Sequence, residues 1–240
     1  MNFLNFPLSG LVIVFGGFVC LIFAFRLHRF FLSSKTILNQ YFRNFFFYFS
    51  IFLLILGFPI IFSPFNNYIL KWAYLTSHTI VWFPWAYLFA ISLYIFFPRL
   101  NPHYLFFFGL LVGEVVQVFI FLFPPAPFFH QEIGILDFHT QFLPSLLIMI
   151  WDIIVFCFAA LVFIYQGVKN QSIRIKSFII AFGLFFIIVG GPLHNFVTSF
   201  FLTLSADIAT LAGFIIIFVG LIWKPKIKMR GGDITKISYS

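Results

Sequence analysis

Ionisable and amide side chains stand inside long apolar stretches of this chain of 240 residues. Glu114 lies in the segment GEVVQ with Gln117 one helical turn further on, and Asp152 lies in IWDII. An ionised carboxylate in the hydrocarbon of a membrane is costly unless it is paired, hydrated or protonated. We therefore expect these residues to bind a ligand or to exchange protons.

Two histidines and an asparagine add hydrogen-bonding groups to this set. His78 stands between a serine and a threonine, whereas His194 and Asn195 lie near the end of another apolar run. The segment Gly190-Gly191-Pro192 comes shortly before that pair. We predict that this segment breaks its helix and exposes backbone carbonyls or acts as a hinge.

The depth of these groups in the membrane predicts a shared site. At roughly 1.5 Å per helical residue, Glu114 and Asp152 lie about 14 Å below the outer surface, and His78 and His194 about 10 Å. Asp207 is placed near the surface, at the start of the last span. One cavity open to the outside would hold them all. Its remaining predicted lining residues are Ser77, Thr79, Asn195, Thr198 and Thr210.

Each of these groups also has a purely structural interpretation. Glu114 and Gln117 would hold a neighbouring helix by hydrogen bonds, and Asp152 would pair with a histidine of an adjacent span. The histidines and the asparagine would satisfy carbonyls that nearby prolines leave free. Asp207, which follows a Ser-Ala pair, would begin the last helix. Both interpretations stay open on the sequence alone.

A loop between the fourth and fifth apolar runs carries the weak metal candidates His130, Glu132, Asp137 and His139. Imidazole and carboxylate ligands suit zinc, but the spacing H-x-E and D-x-H matches no strong motif. We therefore predict no metal site here. The loop also contains several apolar residues, which predict that it lies on the membrane surface or folds over the cavity as a lid.

Composition identifies the class of protein. Hydrophobic residues make up 62% of the chain, charged residues 8%, and the mean hydropathy is +1.10. So little polar surface cannot cover a water-soluble globule of this size. The apolar runs are continuous over about twenty residues, as in membrane-spanning helices rather than barrel strands. The 43 phenylalanines are expected to fill lipid-facing positions.

The predicted fold is an all-α membrane protein with seven transmembrane helices. The spans run from Phe6 to Phe25, Asn44 to Phe62, Trp72 to Phe97, Tyr104 to Phe123, Phe142 to Tyr165, Ser177 to Ser199 and Asp207 to Trp223. With the N-terminus outside and the C-terminus cytoplasmic, all but Lys71 of the 14 basic residues fall inside. This bias predicts a multi-pass protein of the plasma membrane in that orientation.

Residues 1–223 are expected to form one transmembrane domain, followed by a short basic cytoplasmic tail at 224–240. An ungapped alignment of Arg43 with Lys176 places Gly57-Phe58-Pro59 over Gly190-Gly191-Pro192. This match predicts a parallel repeat of three helices on each side of the fourth, or it reflects only the low complexity of two apolar helices. The scattered basic residues form no nucleic-acid-binding module, and the bilayer is the expected partner.

Three functions remain open from the sequence. The leading prediction is a protein that binds or transports a small polar ligand in an outward-facing cavity. The first alternative is a non-catalytic subunit with a membrane protein partner, and the second is a membrane-embedded enzyme. No P-loop, G-x-S-x-G or H-E-x-x-H motif occurs, so a non-enzymatic role is favoured and no catalytic residue or cofactor is assigned.

Overall fold

The computed structural model describes residues 7–130, 134–196 and 200–223, with the backbone alone for 192–196 and 200–201. Its helices are α1 Leu8–Ser34, α2 Ile37–Phe62, α3 Asn67–Phe96, α4 Pro102–Leu122, α5 Phe142–Lys169, α6 Arg174–Phe196 and α7 Phe200–Ile222. The predicted all-α class, with seven helices long and apolar enough to cross a membrane, is confirmed. The predicted tail, 224–240, lies outside the described residues.

The helices differ from the predicted spans in two ways that bear on the site. Helix α6 continues through Gly190-Gly191-Pro192 and ends only at Phe196, so the described backbone has no break there. Prolines also lie inside α2 and α3, at Pro59 and Pro84, and a helix in lipid tolerates them where neighbours compensate. Helix α7 begins at Phe200, which places Asp207 two turns inside the helix instead of at its start.

Six helices form a closed ring. Helix α1 contacts α2, α2 contacts α3, α3 contacts α5, α5 contacts α6, α6 contacts α7, and α7 returns to α1. Helix α4 packs on α3 and α5 and lies outside this ring. Helices α1 and α3 begin at the same end of this ring, where the loop between α4 and α5 contacts Ser9 and Phe65. We call this end the hairpin end.

A short β-hairpin connects α4 to α5. Strand β1, Phe128–His130, pairs antiparallel with β2, Ile135–Asp137. Gly134 takes the left-handed conformation with a φ of 67° and donates to the carbonyl of His130 at 2.9 Å, which closes the turn. The hairpin rests on the start of α1, where the Ser9 hydroxyl accepts from the Leu136 amide at 3.3 Å.

Phenylalanines fill the interior of the ring as well as its lipid-facing surface. Phe42, Phe45, Phe46 and Phe49 lie on one face of α2 at helical spacing, and all are buried. Phe49 packs edge-on against Phe214 of α7, with ring centroids 4.5 Å apart. The expectation that phenylalanines serve mainly as lipid-facing residues is therefore wrong for α2, because large rings are needed to fill the space between its neighbours.

Candidate ligand-binding cavity

A cavity of about 300 Å³ lies inside the ring, beneath the hairpin. Every helix of the ring contributes to its wall, and α4 contributes no residue to it. One representative from each ring helix, in chain order, is Ser9, Phe52, His78, Asp152, Gly191 and Asp207. The hairpin adds residues from both of its strands. The described part of the loop thus forms part of the cavity wall.

Asp152 is the most deeply enclosed carboxylate of the cavity. Helix α5 places it in the wall with only 6% of its surface exposed. Its Oδ1 accepts a hydrogen bond of 2.5 Å from the indole Nε1 of Trp85 on α3. Gly191 of α6 faces the other oxygen, Oδ2. A Cβ added to Gly191 would lie 3.8 Å from Oδ2. A carboxylate can accept about four hydrogen bonds, so Oδ2 keeps capacity for a ligand.

His78 lies on the same wall as Trp85, two turns closer to the hairpin end. Its Nδ1 is 3.0 Å from the backbone carbonyl of Tyr74, and a carbonyl can only accept. The proton of the neutral imidazole therefore sits on Nδ1, which leaves Nε2 as an acceptor. The bond goes to Tyr74 and not to the carbonyl that Pro84 leaves free, so the proposed structural role beside that proline is wrong.

Tyr74 carries a polar atom that sequence reasoning missed. Its ring stacks on His78 with centroids 3.7 Å apart, and its side chain is only 4% exposed. Among the described residues, its hydroxyl has no hydrogen-bond partner although it is fully buried. An unsatisfied buried hydroxyl costs about 1–3 kcal/mol. The spacing of four residues between Tyr74 and His78 could have indicated this pair.

Helix α7 brings a second carboxylate into the wall. Asp207 lines the cavity from within the helix together with Thr203 and Thr210. The Thr210 hydroxyl donates to the carbonyl of Ala206 at 2.9 Å, so its proton is already used. The interpretation of Asp207 as a helix-start residue is wrong because α7 begins seven residues earlier.

Glu114 and Gln117 do not reach the cavity, because α4 lies outside the ring. Gln117 is 2% exposed. Its Oε1 accepts from the indole of Trp82 at 3.0 Å, and its Nε2 donates to the carbonyl of Leu75 at 3.2 Å. Gln117 therefore fastens α4 to α3, as the structural interpretation expects. Glu114 is half-buried, and within the described part of the chain it forms no ion pair.

The remaining predicted residues lie either on described helices or outside the part of the chain that the structure describes. Ser77 and Thr79 donate to carbonyls of their own helix, at 2.9 Å and 3.0 Å, and do not line the cavity. The side chains of His194 and Asn195, and Thr198 as a whole, lie outside the described residues. Their predicted roles stay predictions.

The hairpin residues His130, Asp137 and His139 face the cavity, and Glu132 lies outside the described residues. His139 Nδ1 is 3.3 Å from Asp137 Oδ2, at an angle that does not make a hydrogen bond. His130 Nε2 is buried and likewise unpaired among the described residues. In the described ranges no three histidine, cysteine or acidic residues come close enough to hold a metal ion.

Comparison with protein-family models, with curated proteins and with solved structures gave no match for this chain. A fold by itself would not decide the activity in any case, because the same fold supports unrelated functions. The function is therefore argued from the cavity and from the residues that line it.

Proposed function

We propose that this protein binds a small ligand in the cavity of its helix ring, as a receptor or a transporter of that ligand. The observation that carries the proposal is a cavity of about 300 Å³ whose wall holds polar groups with unused hydrogen-bonding capacity. Tyr74 contributes a buried hydroxyl without a partner in the described chain, and Asp152 contributes the Oδ2 that faces Gly191.

The cavity has the composition of a small-molecule site. Such sites are mostly apolar, contain a few fixed polar groups and occupy about 300–1,000 Å³, so this one is at the small end. Asp152 would hold the ligand, with its orientation fixed by the indole of Trp85. His78 and Tyr74 would orient the ligand by hydrogen bonds, and the hairpin would separate it from the solvent.

We also propose the orientation with the N-terminus outside the plasma membrane and the C-terminus in the cytoplasm. The support is the charge distribution, with Lys71 as the one basic residue of 14 on the outer side. The measurement is labelling with a membrane-impermeant maleimide after Cys20 and Cys157 are replaced by serine. In intact cells the label should react with Lys71→Cys and not with Lys169→Cys. The reverse result would invert the topology.

Asp152→Asn is expected to weaken ligand binding by about tenfold or more, because a charge-assisted hydrogen bond is lost in a buried site. The assay is a thermal-shift screen of the protein in lipid nanodiscs against common metabolites. A ligand at about a hundredfold its dissociation constant stabilises the folded state by about 2.7 kcal/mol. At the same ligand concentration, the stabilisation in Asp152→Asn should fall to about half of the wild-type value or less.

The matched control is Glu114→Gln, which makes the same carboxyl-to-amide change outside the ring. It should keep the ligand-induced shift in full. If Asp152→Asn binds as tightly as wild type, or if no compound shifts the wild-type protein, the proposal of a ligand site around Asp152 fails.

A second candidate function is that of a subunit in a larger membrane complex. Glu114 favours it, because this carboxyl stands on the peripheral helix α4 and the described chain offers it no ion pair. A polar group on a neighbouring membrane protein would then satisfy it. Purification in native nanodiscs should yield a partner at fixed stoichiometry that Glu114→Gln weakens. Isolation of the wild-type chain as a lone monomer would remove this candidate.

A further inference from the structure

The charged groups of the cavity are unbalanced. Among the carboxylates that line it are Asp137 from the hairpin and Asp152 from α5. The described lining residues include three histidines but neither lysine nor arginine. A buried carboxylate is stable only when a cation or several hydrogen-bond donors compensate its charge. Within the described lining, no permanently charged side chain can do so.

Several acceptors of the cavity keep unused capacity for hydrogen bonds. Three donors are engaged within the protein, since Trp82 donates to Gln117, Trp85 to Asp152 and Thr210 to the carbonyl of Ala206. Asp152 Oδ2 and His78 Nε2 remain as acceptors, and the hydroxyl of Tyr74 can serve in either sense. A ligand with donors of its own would complement these acceptors.

Aromatic rings pack against Trp85, the residue that donates to the Asp152 carboxylate. Phe49 stacks on Trp85 with centroids 5.5 Å apart, and Phe156 meets it edge-on at 5.6 Å. Phe214 approaches Phe49 from α7 at 4.5 Å. All four residues line the cavity. Aromatic faces attract cations and also bury apolar groups.

We propose that the ligand of this cavity is a small organic cation, a protonated amine that carries an apolar group. This inference rests on the proposed function and names its ligand class. The ammonium would donate to Asp152 Oδ2 and to the neighbouring acceptors, and the apolar group would lie against Trp85 and the phenylalanines. An anion of the same shape would meet carboxylates and unpaired acceptors, which is the arrangement that rejects it.

The experiment compares three probes of nearly equal size that differ in charge. They are 2-phenylethylamine, 2-phenylethanol and phenylacetate, titrated into the full-length protein in lipid nanodiscs at neutral pH. The amine should bind at least about tenfold more tightly than the alcohol, because it alone forms a charge-assisted hydrogen bond. Phenylacetate should give no thermal shift. The comparison needs only the wild-type protein, so a folding defect cannot obscure it.

Two variants then test whether Asp152 is the group that recognises the charge of the amine. Asp152→Asn should weaken binding of the amine about tenfold or more and leave binding of the alcohol nearly unchanged. Glu114→Gln should change neither. Equal losses for amine and alcohol in Asp152→Asn would mean that the residue shapes the cavity without recognising charge, which overturns the inference.

The outcomes separate this inference from the proposed function. If the alcohol or phenylacetate binds as tightly as the amine, the cation inference is overturned and the cavity remains a ligand site. The same holds if none of the three probes binds but an uncharged or anionic metabolite does. If no compound of any charge shifts the protein, the inference and the proposed function fail together.

Discussion

Gly190→Ala is expected to destabilise the protein by more than about 3 kcal/mol, beyond the usual range for an overpacked site. A Cβ built at Gly190 would collide with the Thr210 hydroxyl and would lie 2.6 Å from the carbonyl of Ala206. A backbone carbonyl in the adjoining helix cannot turn aside as a flexible side chain can. Helices α6 and α7 would have to separate, and they also enclose one side of the cavity.

The adjacent residue supplies a matched control. Gly191→Ala makes the same chemical change one position further along α6, but among the described residues its Cβ would approach only Asp152 Oδ2, at 3.8 Å. Unfolding in mixed micelles with increasing sodium dodecyl sulfate should separate the two variants clearly, with Gly191→Ala close to wild type. Equal stability of the two variants would contradict the close contact of α6 with α7.

The same pair tests the predicted hinge at Gly190-Gly191-Pro192. A hinge glycine is needed for its conformational freedom, so both alanine variants would alter ligand binding with little change in stability. A packing glycine is needed for its lack of a side chain, so one variant loses stability and the other does not. The continuous helix through Phe196 and the contacts of Gly190 favour the second expectation.

The helices of this fold could be predicted from the sequence because lipid leaves the chain little choice. Every backbone group in hydrocarbon must be paired within the segment, so a long apolar run has to be a helix. That argument does not depend on neighbours, and it holds for all seven spans. The argument fails at helix ends, as at Asp207. There the same residues are compatible with a loop and with one or two further turns of helix.

The site was harder to predict. The depth of a side chain in the membrane follows from the sequence, but the direction in which the side chain points from its helix does not. Glu114 and Asp152 have nearly the same predicted depth, and the structure places one outside the ring and the other in its cavity. Which face of a helix looks inward depends on which helices surround it. The exclusion of α4 from the ring arises from contacts between distant segments, and no local pattern in the sequence records it.

Trp85→Ala is expected to be the second most damaging change, with a loss of about 3 kcal/mol, the lower end of the range for truncating a buried tryptophan. Part of the usual hydrophobic loss is absent, because the unfolded chain in detergent is also surrounded by hydrocarbon. What remains is the packing against Phe49 and Phe156 and the hydrogen bond to Asp152.

Two further variants divide that loss and test its cause. Trp85→Phe keeps most of the ring but removes the donor to Asp152, so it should cost only about 1–3 kcal/mol while weakening ligand binding. Trp72→Ala truncates a tryptophan of the same helix that is 48% exposed and should change stability by no more than about 0.5 kcal/mol. If Trp85→Phe matched wild type in both stability and binding, the indole N–H would not orient Asp152. Trp85 would then serve as packing alone, and the carboxylate would need another explanation for its fixed position beside the cavity.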